Sequence, residues 1–141
     1  NCSIVKAFDN WEEVMATKKS DCTPMFLESI EQVRKNMPKD QEVDQVVSFY
    51  KVLGDKTRLR ILYALKEQEM RAGDIAVLLD MTKSAVSHQL AVMRNMHQIK
   101  SRREGKNVFY SLDDEHIVDI LEEALVHMVH HQLEYPESDS Q

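Results

Sequence analysis

The chain has 141 residues, a size that fits one compact domain with an extension, and 43% of them are hydrophobic, enough for a single core. Three glycines and three prolines favour helices over a turn-rich all-β fold, no apolar run is long enough to span a bilayer, and residues 1–15 lack the pattern of an export signal, so a cytoplasmic protein is expected. The net charge of −6 is unevenly spread: from residue 82 to residue 106 six basic side chains face Glu104 alone, a local +5, so the acidic total does not exclude nucleic acid as a partner.

Residues 1–40 form an N-terminal extension. Its first 22 residues are polar and contain both cysteines, Cys2 and Cys22, which are not spaced as a disulfide framework. Thr23-Pro24 followed by Met25, Phe26, Ile30 and Val33 predicts a capped helix ending before Pro38. Residues 41–134 read as one domain. Val43, Val46, Val47, Tyr50 and Leu53 have helical spacing, Gly54 stops that helix, and Asp55 caps the next, whose face is Leu59, Leu62 and Leu65. A third short helix carries Ile75, Leu78 and Leu79.

After the break at residues 80–84 (DMTKS), Val86, Leu90 and Met93 form a buried stripe, while Lys83, Ser84, Ser87 and His88 lie at the exposed start of the helix. Two helices around a short break, the second with polar residues at its N-terminus, is a helix-turn-helix pattern. Hydroxyl, imidazole and ammonium groups placed there can reach phosphates and base edges in the major groove; taken singly, Thr82 or Ser84 serves equally well as a helix cap. Residues 99–103 and 108–112 are short runs around Glu104-Gly105-Lys106-Asn107, the pattern of a β-hairpin, and Lys100, Arg102, Arg103 and Lys106 on that wing can straddle a DNA backbone. Basic residues also guard exposed strand edges against aggregation. The fold class that emerges is mainly α with a small β-hairpin, a winged helix-turn-helix.

The last helix begins near Asp113 and puts Ile117, Ile120, Leu121, Ala124, Leu125 and Met128 on one face, long enough to require a partner. Residues 135–141 read as a disordered tail. Asp114, His116, His127 and His130 fall in this segment with the spacing D-x-H-x10-H-x2-H. Three imidazoles and a carboxylate are a donor set suited to tetrahedral zinc or cobalt; His131 adds a further nitrogen, and an expanded site would favour nickel or cobalt. Eleven residues of helix separate His116 from His127 by about 16 Å, too far for one ion, but the same interval is close to three turns, so an antiparallel copy of the helix would complete two equivalent sites between subunits. The competing reading makes Asp114 a helix cap and the histidines a polar border.

Residues 50–62 (YKVLGDKTRLRIL), 74–76 (DIA), 84–90 (SAVSHQL) and 105–112 (GKNVFYSL) occur in that order, and together they resemble the ArsR/SmtB family of metal-responsive repressors over roughly residues 43–131. The resemblance implies a homodimer joined through its first and last helices, binding an inverted-repeat DNA operator, and released by metal to express a metal efflux gene. It groups Asp114, His116, His127 and His130 with the last-helix site of the zinc-sensing branch, and it implies a relay from the second nitrogen of His127 to a backbone carbonyl near His97. Members with a thiolate site carry cysteines where this chain has Arg71 and Gly73, so that site is absent here. A repressor responding to nickel or cobalt, or to oxidation of Cys2 and Cys22, is the alternative. A hydrolytic zinc centre is the enzyme-class alternative; it lacks an HExxH pattern and would need an open coordination position.

Overall fold

The computed structural model describes residues 20–134, so the expected tail at 135–141 and Cys2 lie outside the described residues. The chain divides into two units, residues 1–39 and 40–141. In the first, helix α1 spans Leu27–Asn36, three residues beyond the Thr23-Pro24 start that the sequence suggests. Phe26 holds the N-cap position without a side-chain cap bond, and α1 buries none of its residues, so no packing extends it back to the proline.

The second unit begins with α2, Asp40–Leu53, closed by Gly54, whose N–H donates to Tyr50 O at 2.8 Å. Asp55 caps α3, Lys56–Glu67, as its sequence position suggests: Oδ2 accepts from Arg58 N at 2.9 Å. Ile61, Leu62 and Leu65 of α3 are buried, with Leu59 packed beside them. A two-residue strand β1, Met70–Arg71, then leads into α4, Ala72–Leu79, which turns inward through Ala72, Ile75 and Ala76. Leu78, expected on the inner face with Ile75, is 56% exposed. Helix positions three apart share a face only loosely, and the small Ala72 and Ala76 allow the close approach that fixes which side is covered.

Helix α5 spans Lys83–Asn95 and buries Val86, Leu90 and Met93, the stripe read from the sequence. The hairpin follows: β2, Ile99–Glu104, pairs antiparallel with β3, Asn107–Leu112, from Ile99↔Leu112 to Glu104↔Asn107. Gly105 at φ +60° is the first of the two turn residues, the position where a type II′ turn needs a positive φ. The expected two-stranded wing is a three-stranded sheet in the order β1-β3-β2, because Met70 and Arg71 pair with Tyr110 and Phe109.

Helix α6, Glu115–Glu134, divides in two by burial. Ile117 and Leu121 enter the core, and Tyr63 of α3 ties the same half down by donating its hydroxyl hydrogen to Leu121 O at 3.0 Å. From Glu122 to His131 every residue is exposed, including Leu125, Val126, Met128 and Val129. The second half of the expected apolar face is therefore uncovered within one chain.

Candidate nucleic-acid interface and metal centre

The start of α5 is set by Thr82, whose Oγ1 accepts from Ala85 N at 3.1 Å. With the cap supplied by Thr82, Ser84 is left to face outward, and Lys83, Ser84, Ser87 and His88 are all exposed. The N-terminal turn leaves backbone N–H groups facing solvent, where the helix dipole favours phosphate. A cleft of about 320 Å³ joins this turn to the wing, lined by Arg71, Gly73, Lys83, Ser87, Lys106 and Asn107. The structure thus brings Lys83 and Ser87 of the helix together with Lys106 of the hairpin.

Arg71 enters the same cleft and was not among the basic residues expected there. Its Nε donates to Asp74 Oδ2 at 2.8 Å, its Nη2 to Asp74 Oδ1 at 3.2 Å and its Nη1 to Asn107 Oδ1 at 3.3 Å. The Arg71 pairing holds the Asp74 carboxyl below the usual carboxylate range. The three-residue spacing of Arg71 and Asp74 was a readable sign of the ion pair; the approach of Asn107, 36 positions away, was not.

The wing residues do not form one surface. Side chains alternate along a strand, so Lys100 and Arg102 share one face of β2 and Arg103 lies on the other. Arg102 is already engaged: Nε donates to both Glu69 oxygens at 2.9 Å, Nη1 donates to Glu104 Oε2 at 2.8 Å, and the guanidinium lies 4.7 Å from the centre of the Phe109 ring. Glu69 and Glu104 together push the guanidinium further toward its charged form, and Arg102 in turn lowers the Glu69 carboxyl. Lys100, Arg103 and Lys106 are exposed.

At the start of α6, Asp114 Oδ1 accepts from Ile117 N at 3.3 Å while Oδ2 lies 3.3 Å from His116 Nδ1. The His116 contact, followed by the Ile117 N–H, holds the Asp114 carboxyl below its ordinary value. The cap reading and the ligand reading of Asp114 are therefore compatible, since each oxygen has its own partner. Two donors each about 2.0–2.1 Å from one tetrahedral ion would stand about 3.3 Å apart, so this pair fits half of a zinc-type donor set. The His116 side chain is 87% exposed and open to a further ligand.

His127, His130 and His131 are exposed on the projecting half of α6, with the His127 and His131 rings edge to face at 6.0 Å between centroids. Among the described residues of one chain no three potential ligands come close enough to hold a metal ion. Because α6 is one continuous 20-residue helix, His116 and His127 stay about 16 Å apart. Cys22 is exposed, with its Sγ 3.5 Å from Asp21 Oδ1.

Comparison with known proteins shows the family. The family described as bacterial regulatory protein, arsR family, is matched over residues 55–99, which run from the α3 cap to the first residue of the wing. A transcriptional repressor SmtB homolog of Synechocystis sp. is 39% identical over 104 residues, covering 74% of this chain and 79% of the relative. The cadmium resistance transcriptional regulatory protein CadC homolog of Staphylococcus aureus is 33% identical over 114 residues, 80% of this chain and 93% of the relative. Among solved structures, apo-NmtR in solution superposes with a TM-score of 0.61 at 33% identity, covering 86% of this chain and 97% of that one. A homodimeric winged helix-turn-helix DNA-binding domain from Mycobacterium bovis gives 0.59 at 27% identity, over 68% and 90% of the two chains.

Proposed function

Because this chain belongs to the ArsR/SmtB family of bacterial metal-sensing transcriptional repressors, DNA-binding regulators rather than enzymes, we propose that it is a homodimeric repressor whose metal-free form binds an inverted-repeat operator. Zinc bound between the last helices lowers that affinity. The observation that carries the metal reading is the division of α6: one ligand pair, Asp114 and His116, at its packed end, and His127 and His130 on a projecting half that a single chain cannot bring to them. Two antiparallel α6 helices would place each pair beside the partner's complementary pair. The uncovered side chains Leu125, Val126, Met128 and Val129, together with Val43, Val46, Val47 and Tyr50 of α2, give such a dimer its apolar surface.

In this reading Asp114 and His116 offer one oxygen and one nitrogen, and His127 and His130 two nitrogens, to a closed tetrahedral set. The bound metal supplies a crosslink between subunits. With His131 recruited, the site would expand toward cobalt or nickel. His127 keeps a second ring nitrogen that can hydrogen-bond a backbone carbonyl near His97, where a positive φ of 56° fixes the loop. Lys83, Ser84, Ser87 and His88 read the major groove, and Lys100, Arg103 and Lys106 contact phosphates, while Arg102 holds the wing. The regulated gene is a metal efflux gene and the site of action the cytoplasm; among the described residues no helix is long and apolar enough to cross a membrane.

The test is operator affinity at fixed salt with and without one zinc equivalent per subunit. A loss of tenfold or more, about 1.4 kcal/mol of coupling, is expected in the wild type and should vanish in His127→Ala. Equal affinity in both conditions would remove the zinc response; a response to cobalt or nickel instead would move the site to the expanded set.

A further inference from the structure

Gln98 is the one polar residue that is fully buried among the described residues. It follows His97 at the end of α5, where His97 N donates to Arg94 O at 3.1 Å and Gln98 N donates to Met93 O at 3.0 Å. These bonds and the left-handed His97 close the helix as a Schellman cap, so Gln98 moves with α5. Its own carbonyl accepts from Asp113 N at 3.1 Å, and Asp113 directly precedes Asp114. Its side-chain Nε2 reaches the other way and donates to Phe49 O of α2 at 3.2 Å. One residue thus ties the recognition helix, the segment entering α6 and the helix bearing Val46 and Tyr50.

The amide is not there for packing. Its Oε1 is buried without a partner, and turning the amide over would only set that oxygen against Phe49 O. An orphaned buried acceptor costs more than a single amide hydrogen bond contributes, and the surrounding core is otherwise apolar. Phe49 O lies inside α2, where the helix supplies its own donor four residues on, so removing the amide leaves no carbonyl stranded. A leucine there would give a core at least as stable.

We propose that Gln98 is the positioning residue that couples the start of α6 and helix α2 to the placement of α5 on DNA. The inference rests on the metal-released repressor described above. A change at Asp114 and His116 pulls on Asp113, the Asp113 bond moves the Gln98 backbone, and the side-chain bond to Phe49 makes α2 and α5 shift as a unit. Without the side-chain bond, the ligand segment still reaches Gln98 but α2 no longer follows.

The experiment compares wild type, Gln98→Leu and Gln98→Met by zinc affinity, operator affinity with and without zinc, and thermal melting of each zinc-free dimer. Both variants should melt no lower than wild type, bind zinc within about threefold of it, and lose most of the zinc effect on operator affinity, from tenfold or more to under threefold. The two substitutions differ in shape, so agreement between them excludes a packing accident. A full zinc effect in both variants overturns the role of Gln98 while leaving the repressor reading in place. A melting point lowered in both also overturns it, since the amide would then be structural. A wild type indifferent to zinc overturns the repressor reading and this inference together.

Discussion

Arg102 illustrates how side-chain partners decide what a charge can do. By sequence it belongs with Lys100, Arg103 and Lys106 as a basic wing residue, but two carboxylates and the Phe109 ring already hold it. A guanidinium so engaged would have to leave those partners to reach a phosphate, whereas Lys83 and Lys106 are exposed beside the same cleft. Removing one charge that neutralises a phosphate lowers the slope of log affinity against log salt by about 0.9, so a substitution present twice in a dimer lowers it by about 1.8. Titrating operator binding across salt should show that drop for Lys83→Gln and Lys106→Gln and an unchanged slope for Arg102→Gln. An equal drop in Arg102→Gln would show that it leaves Glu69 for the DNA. The basic character of the wing was legible in the sequence; the pairing of Arg102 with Glu69 was not, because Glu69 lies 33 positions away and on no shared helix or strand.

At the scale of elements, local signals were enough wherever they were short-range. Asp55 and Thr82 precede their helices and bond the backbone three residues on, and the α5 stripe of Val86, Leu90 and Met93 follows directly from spacing. Strand β1 leaves no mark in the sequence because two residues carry no alternation; it exists only because β3 presents a free edge to Met70 and Arg71. The inward side of α4 was misjudged at Leu78, which spacing grouped with Ile75 but which is exposed, while Ala72 and Ala76 are covered. Thr82→Ala removes the acceptor for Ala85 N and leaves that exposed donor to water at the end of α5 proposed to face DNA. The expected loss is about 1 kcal/mol, a fall of about 4–8 °C in Tm at fixed protein concentration, and Asp55→Ala should cost about the same. A shift of under 1 °C in Thr82→Ala would mean that water or Ser84 caps α5 equally well.

For the whole molecule, the sequence contained the spacing of the proposed ligands and the length of the apolar face, and helix geometry alone said that one chain cannot join the two proposed pairs. It did not contain where burial stops along α6, which depends on Tyr63 and the α3 surface meeting Leu121. That boundary allows metal binding and dimerisation to be separated by substitution. Val46→Glu combined with Tyr50→Glu places two carboxylates on the exposed apolar face of α2, where the wild-type residues are 50% and 55% exposed, and alters no proposed ligand. If zinc is held between subunits, sedimentation should show a monomer, and zinc affinity should fall at least 100-fold with Asp114, His116, His127 and His130 all present. A monomer that keeps wild-type zinc affinity would require one chain to supply the whole site, which the roughly 16 Å separation along a continuous α6 forbids, so the ligand assignment itself would be wrong. A variant that stays dimeric would instead remove α2 from the interface and leave the projecting half of α6 as its principal surface.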